Sequence, residues 1–210
     1  MKISDIRKEY SSKILEINKV EKSPIEQFKR WMTEALEAQV MEPNAMNLAT
    51  IGLDNRPSSR IVLLKGIDQG FVFFTNYESK KGQELIETPF ASLTFFWPEM
   101  ERQVRIEGRT EKISESESDE YFLSRPTESQ IGAWTSPQSQ EIPSRLFLEE
   151  RRKHFEDKFN EKPLQRPPHW GGFRLLADRL EFWQGRPGRL HDRIKYQLRD
   201  GQWNIARLAP

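Results

Sequence analysis

Between Met46 and Ile113 the chain carries five strand-like runs, 46–53, 59–66, 70–76, 90–97 and 102–113, with one helical segment among them. The runs are rich in β-branched and aromatic residues, as in Ile61-Val62-Leu63-Leu64 and Phe71-Val72-Phe73-Phe74. Short turns such as Asp54-Asn55-Arg56-Pro57 separate neighbours. Strands joined so tightly pair antiparallel, because a parallel pair needs a crossover of a dozen or more residues. Strand and helix do not alternate along the chain, and neither G-x-G-x-x-G nor a P-loop is present, which excludes a doubly wound nucleotide-binding sheet. Further runs at 172–176 with 180–182, at 194–198 and from Trp203 onward bring the count to about seven; the last hairpin turns at Asp200-Gly201, a type I′ signal. The expectation is an α+β protein whose antiparallel sheet is closed or half-closed into a barrel, with helices at its periphery.

Ser23-Pro24-Ile25-Glu26 is a capping box that opens a helix to about Met41, with Ile25, Phe28, Met32, Leu36 and Val40 as its buried face. Ser79 caps a second helix, and Ser114-Glu115-Ser116-Glu117 puts acids in the first turn of a third, through Leu123. Pro126 ends that helix and opens another containing Ser129 and Trp134. Arg145 to about Phe159 reads as a charged helix burying Leu146, Leu148, Phe155 and Phe159; 160–170 is a Pro-rich connector. Residues 23–210 are expected to form one domain, preceded by a flexible segment, 1–22, that is either a frayed terminus or a lid over a site.

Composition narrows the chemistry. A net charge of +1 on 210 residues lacks the basic excess of a general nucleic-acid binder. There is no cysteine, and the three histidines, His154, His169 and His191, are widely spaced, so no metal site is expected. The N-terminus has no apolar leader and no run of about 18 apolar residues exists, so a cytoplasmic protein without membrane association is expected. The 13 Phe and 6 Trp supply a core, and its modest size for this length makes burial against a second subunit plausible.

Several stretches concentrate charge. Arg60 and Lys65 bracket the apolar run 61–64; five residues apart, they point to opposite faces unless a bulge intervenes. Ser79-Lys80-Lys81 puts two cations at a helix N-terminus and reads either as a phosphate site or as surface lysines. Tyr121 and Arg125 share a helical face, with Ser129 in the next first turn: a second phosphate cradle, or a Tyr–Arg packing pair. Residues 183–193 pack Trp183, Arg186, Arg189, His191, Asp192 and Arg193 into a Gly/Pro bend, where an anionic ligand and a proton-handling imidazole fit as well as a solvated basic loop. Asp192 is adjacent to His191 in sequence, which is not contact.

Taken in order, Arg60 to Lys65, Phe74-Thr75-Asn76 with Ser79-Lys80-Lys81, Glu101-Arg102-Gln103-Val104, Tyr121-Phe122 with Ser124-Arg125-Pro126, Ser129 to Trp134, Phe182 to Gly185, and Arg189-Leu190-His191-Asp192-Arg193 resemble the pyridoxine/pyridoxamine 5′-phosphate oxidase family over residues 24–210. The closing Arg207-Leu208-Ala209-Pro210 also fits. The resemblance implies an antiparallel Greek-key split β-barrel of about six to seven strands with peripheral helices, and a homodimer with FMN at the interface. It implies oxidation of pyridoxamine or pyridoxine 5′-phosphate to pyridoxal 5′-phosphate, with hydride passing from C4′ to flavin N5 and O2 reduced to H2O2. The flavin-binding set it implies is Arg60, Ile61, Val62, Leu63, Leu64, Lys65, Phe74, Thr75, Lys80, Lys81, Gln103, Gln138, Ser139, Trp183 and Arg193. The substrate set is Lys65, Tyr121, Arg125, Ser129, Arg189, Leu190 and His191, with Arg189 and His191 as the catalytic groups and Arg7 and Tyr10 as a lid. Lys80 stands where the family usually has arginine, and Glu78 where a small residue is common. A different split-barrel flavoprotein, such as a flavin reductase, and a non-catalytic carrier of FMN or pyridoxal phosphate are the competing readings.

Overall fold

The computed structural model describes Ile3, Glu9, Tyr10, 13–160 and 162–210. Its framework is a nine-stranded antiparallel sheet. In chain order the main elements are α1 (Pro24–Glu37), β1 (Ala45–Ile51), β2 (Pro57–Leu63), β3 (Gly66–Ile67), β4 (Phe71–Asn76), α2 (Lys80–Glu87), β5 (Phe90–Trp97), β6 (Arg102–Lys112), α3 (Glu115–Ser124), α4 (Thr127–Thr135), α5 (Arg145–Asn160), β7 (Trp170–Gln184), β8 (Asp192–Arg199) and β9 (Gln202–Leu208). The eight runs read in the sequence all form strands, and Gly66–Ile67 is a separate short ninth.

Pairing runs β2-β1-β5-β6-β7-β4-β3, with β8 and β9 continuing from β7. Strands β2 and β3 lie at opposite ends of that path, yet only Leu64 and Lys65 join them. Extended chain covers at most about 3.6 Å per residue, so the two edges come within roughly 11 Å and the sheet must curl. Leu64 donates its N–H to Asn44 O just before β1 (2.8 Å) and Lys65 donates to Val72 O in β4 (2.8 Å), so the crossing is anchored beside both edges. This is the half-closed, split barrel.

Strand β7 extends the sheet past that curl. Its first half pairs with β4 and its second half with β8, while β6 runs along the other side of both. The switch coincides with a bulge, where the register with β6 jumps between Glu107 and Gly108 and skips Asp178. A Cβ on Gly108 would stand 2.1 Å from Leu176 O, so the close strand approach there requires glycine.

Helix α1 closes one opening of the barrel. Ser23 caps it, accepting from Glu26 N–H (3.4 Å). Phe28 is fully buried and stands 5.0 Å from the Phe71 ring and 4.9 Å from that of Phe95, while Trp31 meets Phe182 at 5.2 Å. Burial of one such ring contributes about 1.5–3 kcal/mol. The buried helix face is Pro24, Gln27, Phe28, Trp31 and Ala35. Leu36, expected inside, is 60% exposed, and the helix stops at Glu37 rather than near Met41. Trp31 takes the central place because it lies one turn beyond Phe28 on the inward stripe, while Leu36 is rotated off it. The expectation for α5 also fails: the helix has no buried residue, and Leu146 is 59% exposed. Phe155 and Phe159 are half-buried against Trp134 of α4 (5.6 and 5.3 Å), and the helix lies on the outside of the molecule. Among the described residues no helix is long and apolar enough to cross a membrane.

Candidate active site

The curl that joins β2 to β3 also forms the main cavity, about 680 Å³. Its walls come from β2 (Arg60, Ile61, Val62, Leu63), the crossing (Lys65), β4 (Phe74, Thr75), α2 (Lys81), the α3–α4 corner (Tyr121, Arg125, Ser129) and the loop after α4 (Gln138). Arg60 and Lys65 thus share one hollow. Alternation would have separated them, but β2 ends at Leu63 and the chain turns to change edges before Lys65.

Arg60 reaches across β1 to a buried carboxylate. Its Nη2 donates to Ser58 Oγ (2.6 Å) and Glu84 Oε2 (3.2 Å), and Nη1 donates to Thr50 Oγ1 (2.5 Å). Glu84 lies inside α2 and also accepts from Thr50 and Ser58; hydrogen bonding and the guanidinium hold its carboxyl below the usual range although burial opposes this. Lys81, at the α2 N-terminus, donates to Gln138 Oε1 (2.7 Å) and Thr75 Oγ1 (3.1 Å). Burial, aided by the Arg60 charge and opposed by Glu84, pushes its ammonium down to about 8. A desolvated lysine beside an arginine at a helix N-terminus has the chemistry that favours an anion.

The second cation group is built on aromatics. Phe74 stacks on Tyr121 (3.9 Å) and Trp170 (5.4 Å), and the Arg125 guanidinium lies over the Trp170 ring at 4.6 Å. Burial lowers the Arg125 pKa, with the Tyr121 phenol opposing, but a guanidinium keeps its charge at any ordinary pH. Its Nη1 is buried and has no hydrogen-bond partner among the described residues. Native structures seldom leave such a donor unpaired unless a ligand satisfies it.

Other sequence-predicted residues lie elsewhere on this chain. Leu64 is buried behind the cavity wall. Lys80 points outward, 3.9 Å from Glu84, and Ser139 is an exposed turn residue with φ 71°. Gln103, Trp183 and Arg193 face one another in register across β6, β7 and β8, outside the cavity. Arg193 grips both Glu181 oxygens (2.8 and 3.0 Å). Arg189 and Leu190 are exposed on the bend, where Gly188 and Arg189 both adopt φ 61°. His191 Nδ1 accepts the Arg186 N–H (3.2 Å), and burial together with the Arg189 charge lowers its pKa, which favours a neutral ring with its proton on Nε2. Asp192 does not orient that ring: its carboxylate takes Leu15 N–H (3.1 Å) and Arg207 Nη1 (2.6 Å). Tyr10 sits edge-on to Trp183 (5.6 Å) and against His191 (5.7 Å). Arg7 lies outside the described residues.

Sequence reasoning missed Trp170 and Glu84. Trp170 follows the Pro-rich connector and gave no periodic signal; Glu84 looks like any exposed helix glutamate until β1 and β2 are laid against it.

The cavity and the bend at 183–193 fall in two separately recognised regions. Residues 32–158 match the family model described as pyridoxamine 5′-phosphate oxidase, and 170–210 match the pyridoxine 5′-phosphate oxidase C-terminal dimerisation region. The pyridoxine/pyridoxamine 5′-phosphate oxidase of Paraburkholderia phymatum is 57% identical over 210 residues, and that of Cupriavidus necator 55%, each alignment covering 99% of both chains. PhzG from Burkholderia lata, solved with tetrahydrophenazine-1-carboxylic acid, superposes with a TM-score of 0.89 at 34% identity, over 95% of this chain and all of that one. A pyridoxamine 5′-phosphate oxidase-related, FMN-binding protein from Nostoc punctiforme shares the fold, with a TM-score of 0.70 at 17% identity over 90% of this chain and 98% of that one. Near-complete coverage at such identity leaves one assignment: the chain belongs to the pyridoxine/pyridoxamine 5′-phosphate oxidase family.

Proposed function

We propose that this protein binds FMN and oxidises pyridoxamine 5′-phosphate and pyridoxine 5′-phosphate to pyridoxal 5′-phosphate. Two electrons and two hydrogens leave the substrate and O2 becomes H2O2; the amine also takes up water and releases ammonia. The observation that carries the reading is one cavity with two cation groups, Arg60 with Lys81 and Lys65 with Arg125, the latter holding an unpaired buried donor. Two phosphorylated ring molecules need two such groups. A volume of about 680 Å³ lies within the range of cofactor pockets. Bound there, FMN would supply the hydride acceptor and the route of electrons to O2.

The chain supplies the rest. Arg60, Lys81, Thr75 and Gln138 would hold the flavin phosphate, and the backbone of 61–63 would run along the ring system. Lys65, Tyr121, Arg125 and Ser129 would hold the substrate phosphate, which fixes the pyridine ring by its far end. Arg189 and His191 belong to the region matched as a dimerisation region. In a homodimer the bend of one copy would cover the cavity of the other and bring those groups over the substrate's C4′ substituent. The neutral imidazole, with Nδ1 held by the Arg186 N–H, would present its Nε2–H as a donor there, and Tyr10 would help exclude water.

Peroxide release from the flavin-loaded protein on adding pyridoxamine 5′-phosphate tests this. A yellow protein that binds the substrate yet releases no peroxide would be a carrier. Turnover of unphosphorylated, phenazine-type substrates in preference would move the assignment towards the activity of a PhzG-like enzyme.

A further inference from the structure

Arg174 is a charged residue inside β7, only 7% exposed, and it does not line the main cavity. Three carboxylates from three elements surround it. Its Nε donates to Asp68 Oδ1 (3.0 Å) and Oδ2 (2.9 Å) in the turn between β3 and β4. Its Nη2 donates to Glu117 Oε1 (2.8 Å) in the first turn of α3, and Nη1 reaches Glu111 Oε1 on β6 (3.5 Å). Both main partners have second tasks. Asp68 accepts the Gly70 N–H (2.9 Å) and so shapes its own turn. Glu117 accepts from Ser114 N–H (3.0 Å) and Ser114 Oγ (2.7 Å), closing the capping box of α3. One guanidinium therefore fastens a hairpin turn to a helix start.

Each fastened element carries part of the phosphate cradle. Lys65 lies three residues before Asp68; Tyr121 lies four after Glu117, with Arg125 at the end of the same helix. Between the flanks is a second hollow of about 390 Å³, walled by Lys65, Asp68, Glu117 and Tyr121 among others. Phe74 braces Tyr121 from β4, but no hydrogen bond or ion pair holds the Lys65 side chain among the described residues. The stack and the buried Phe122 seat the Tyr121 flank on the sheet, and the clamp is the charged tie between that flank and the turn that follows Lys65.

We propose that Arg174 is a positioning residue: through Asp68 and Glu117 it sets the distance between Lys65 and the Tyr121–Arg125 helix, and with it the grip on the substrate's phosphate. The inference rests on the functional reading given above. Without the guanidinium, three carboxylates would face one another and drive the flanks apart. A lysine would keep the charge but lose the forked, multi-partner geometry.

The test uses flavin-loaded Arg174→Gln and Arg174→Lys. For Arg174→Gln, KM for pyridoxamine 5′-phosphate rises about 10- to 100-fold, the scale expected when one charge-assisted hydrogen bond to the phosphate is lost. The kcat and FMN affinity stay near wild type, and Arg174→Lys falls between. Binding of pyridoxal 5′-phosphate weakens by the same factor, while binding of unphosphorylated pyridoxal does not change. A purely structural arginine would instead lower thermal stability and weaken both ligands alike; that result, or an unchanged KM, overturns the proposal. If Arg174→Gln does not fold, Asp68→Asn, which keeps the Glu117 contact, is expected to shift the same ratio in the same direction, and an unchanged ratio there is equally fatal. Wild-type protein that releases no peroxide would refute the functional reading instead, and the pyridoxal 5′-phosphate to pyridoxal binding ratio would still judge the clamp.

Discussion

Replacing Arg125 by methionine separates the ligand role of this residue from any structural one. In the ligand-free protein the guanidinium gains from lying 4.6 Å over the Trp170 ring, a contact worth about 0.5–2 kcal/mol. Against this, Nη1 is buried without a partner, and an unsatisfied buried donor costs about 1–3 kcal/mol. Methionine fills much of the same space and removes both. The two effects offset to within about 1 kcal/mol, so the melting temperature should move by no more than about 2–4 °C in a chain of this size. The loss on binding is not offset. A charge-assisted hydrogen bond is worth about 1.5–3 kcal/mol, so affinity for pyridoxal 5′-phosphate should fall about 10- to 150-fold. Scanning fluorimetry with and without ligand reads both quantities, because the stabilisation by ligand shrinks with its affinity. A variant that melts much lower yet binds pyridoxal 5′-phosphate as before would show that Arg125 serves the fold and that the cradle has been misread.

Three further outcomes follow from the geometry. Lys81 binds an anion only when protonated, and its ammonium is pushed down to about 8, so FMN affinity measured by flavin fluorescence should fall as pH rises through 8 towards 9, a step absent in Lys81→Gln. Gly108→Ala should destabilise the protein by about 1–3 kcal/mol in a thermal melt, since its Cβ would stand 2.1 Å from Leu176 O across the bulge; a neutral result would mean that β7 shifts freely there. Asp192→Asn weakens the ties to Leu15 N–H and Arg207, so residues 13–20 should be cleaved faster in limited proteolysis, with FMN binding unaffected.

Features that depend on near neighbours in the chain were legible in the residues themselves. Ser23, Ser79 and Ser114 cap helices as read, because a cap is made within three residues. The Asp200-Gly201 turn takes positive φ at both positions, 51° and 74°, as its two residues favour. The antiparallel sheet followed from short turns, and the family resemblance from ordered motifs. Which cations share a hollow depends instead on how distant segments fold together. Arg60 and Lys65 meet because two residues must carry the chain between opposite edges of a curled sheet, which local alternation does not encode. Leu36 and α5 were misread because a periodic stripe states that a face is apolar, not whether another element will cover it. Trp170, Glu84 and Arg174 gain their roles from partners far along the chain — Arg174 meets Asp68 across more than a hundred residues — and such pairing is fixed by packing and charge in three dimensions.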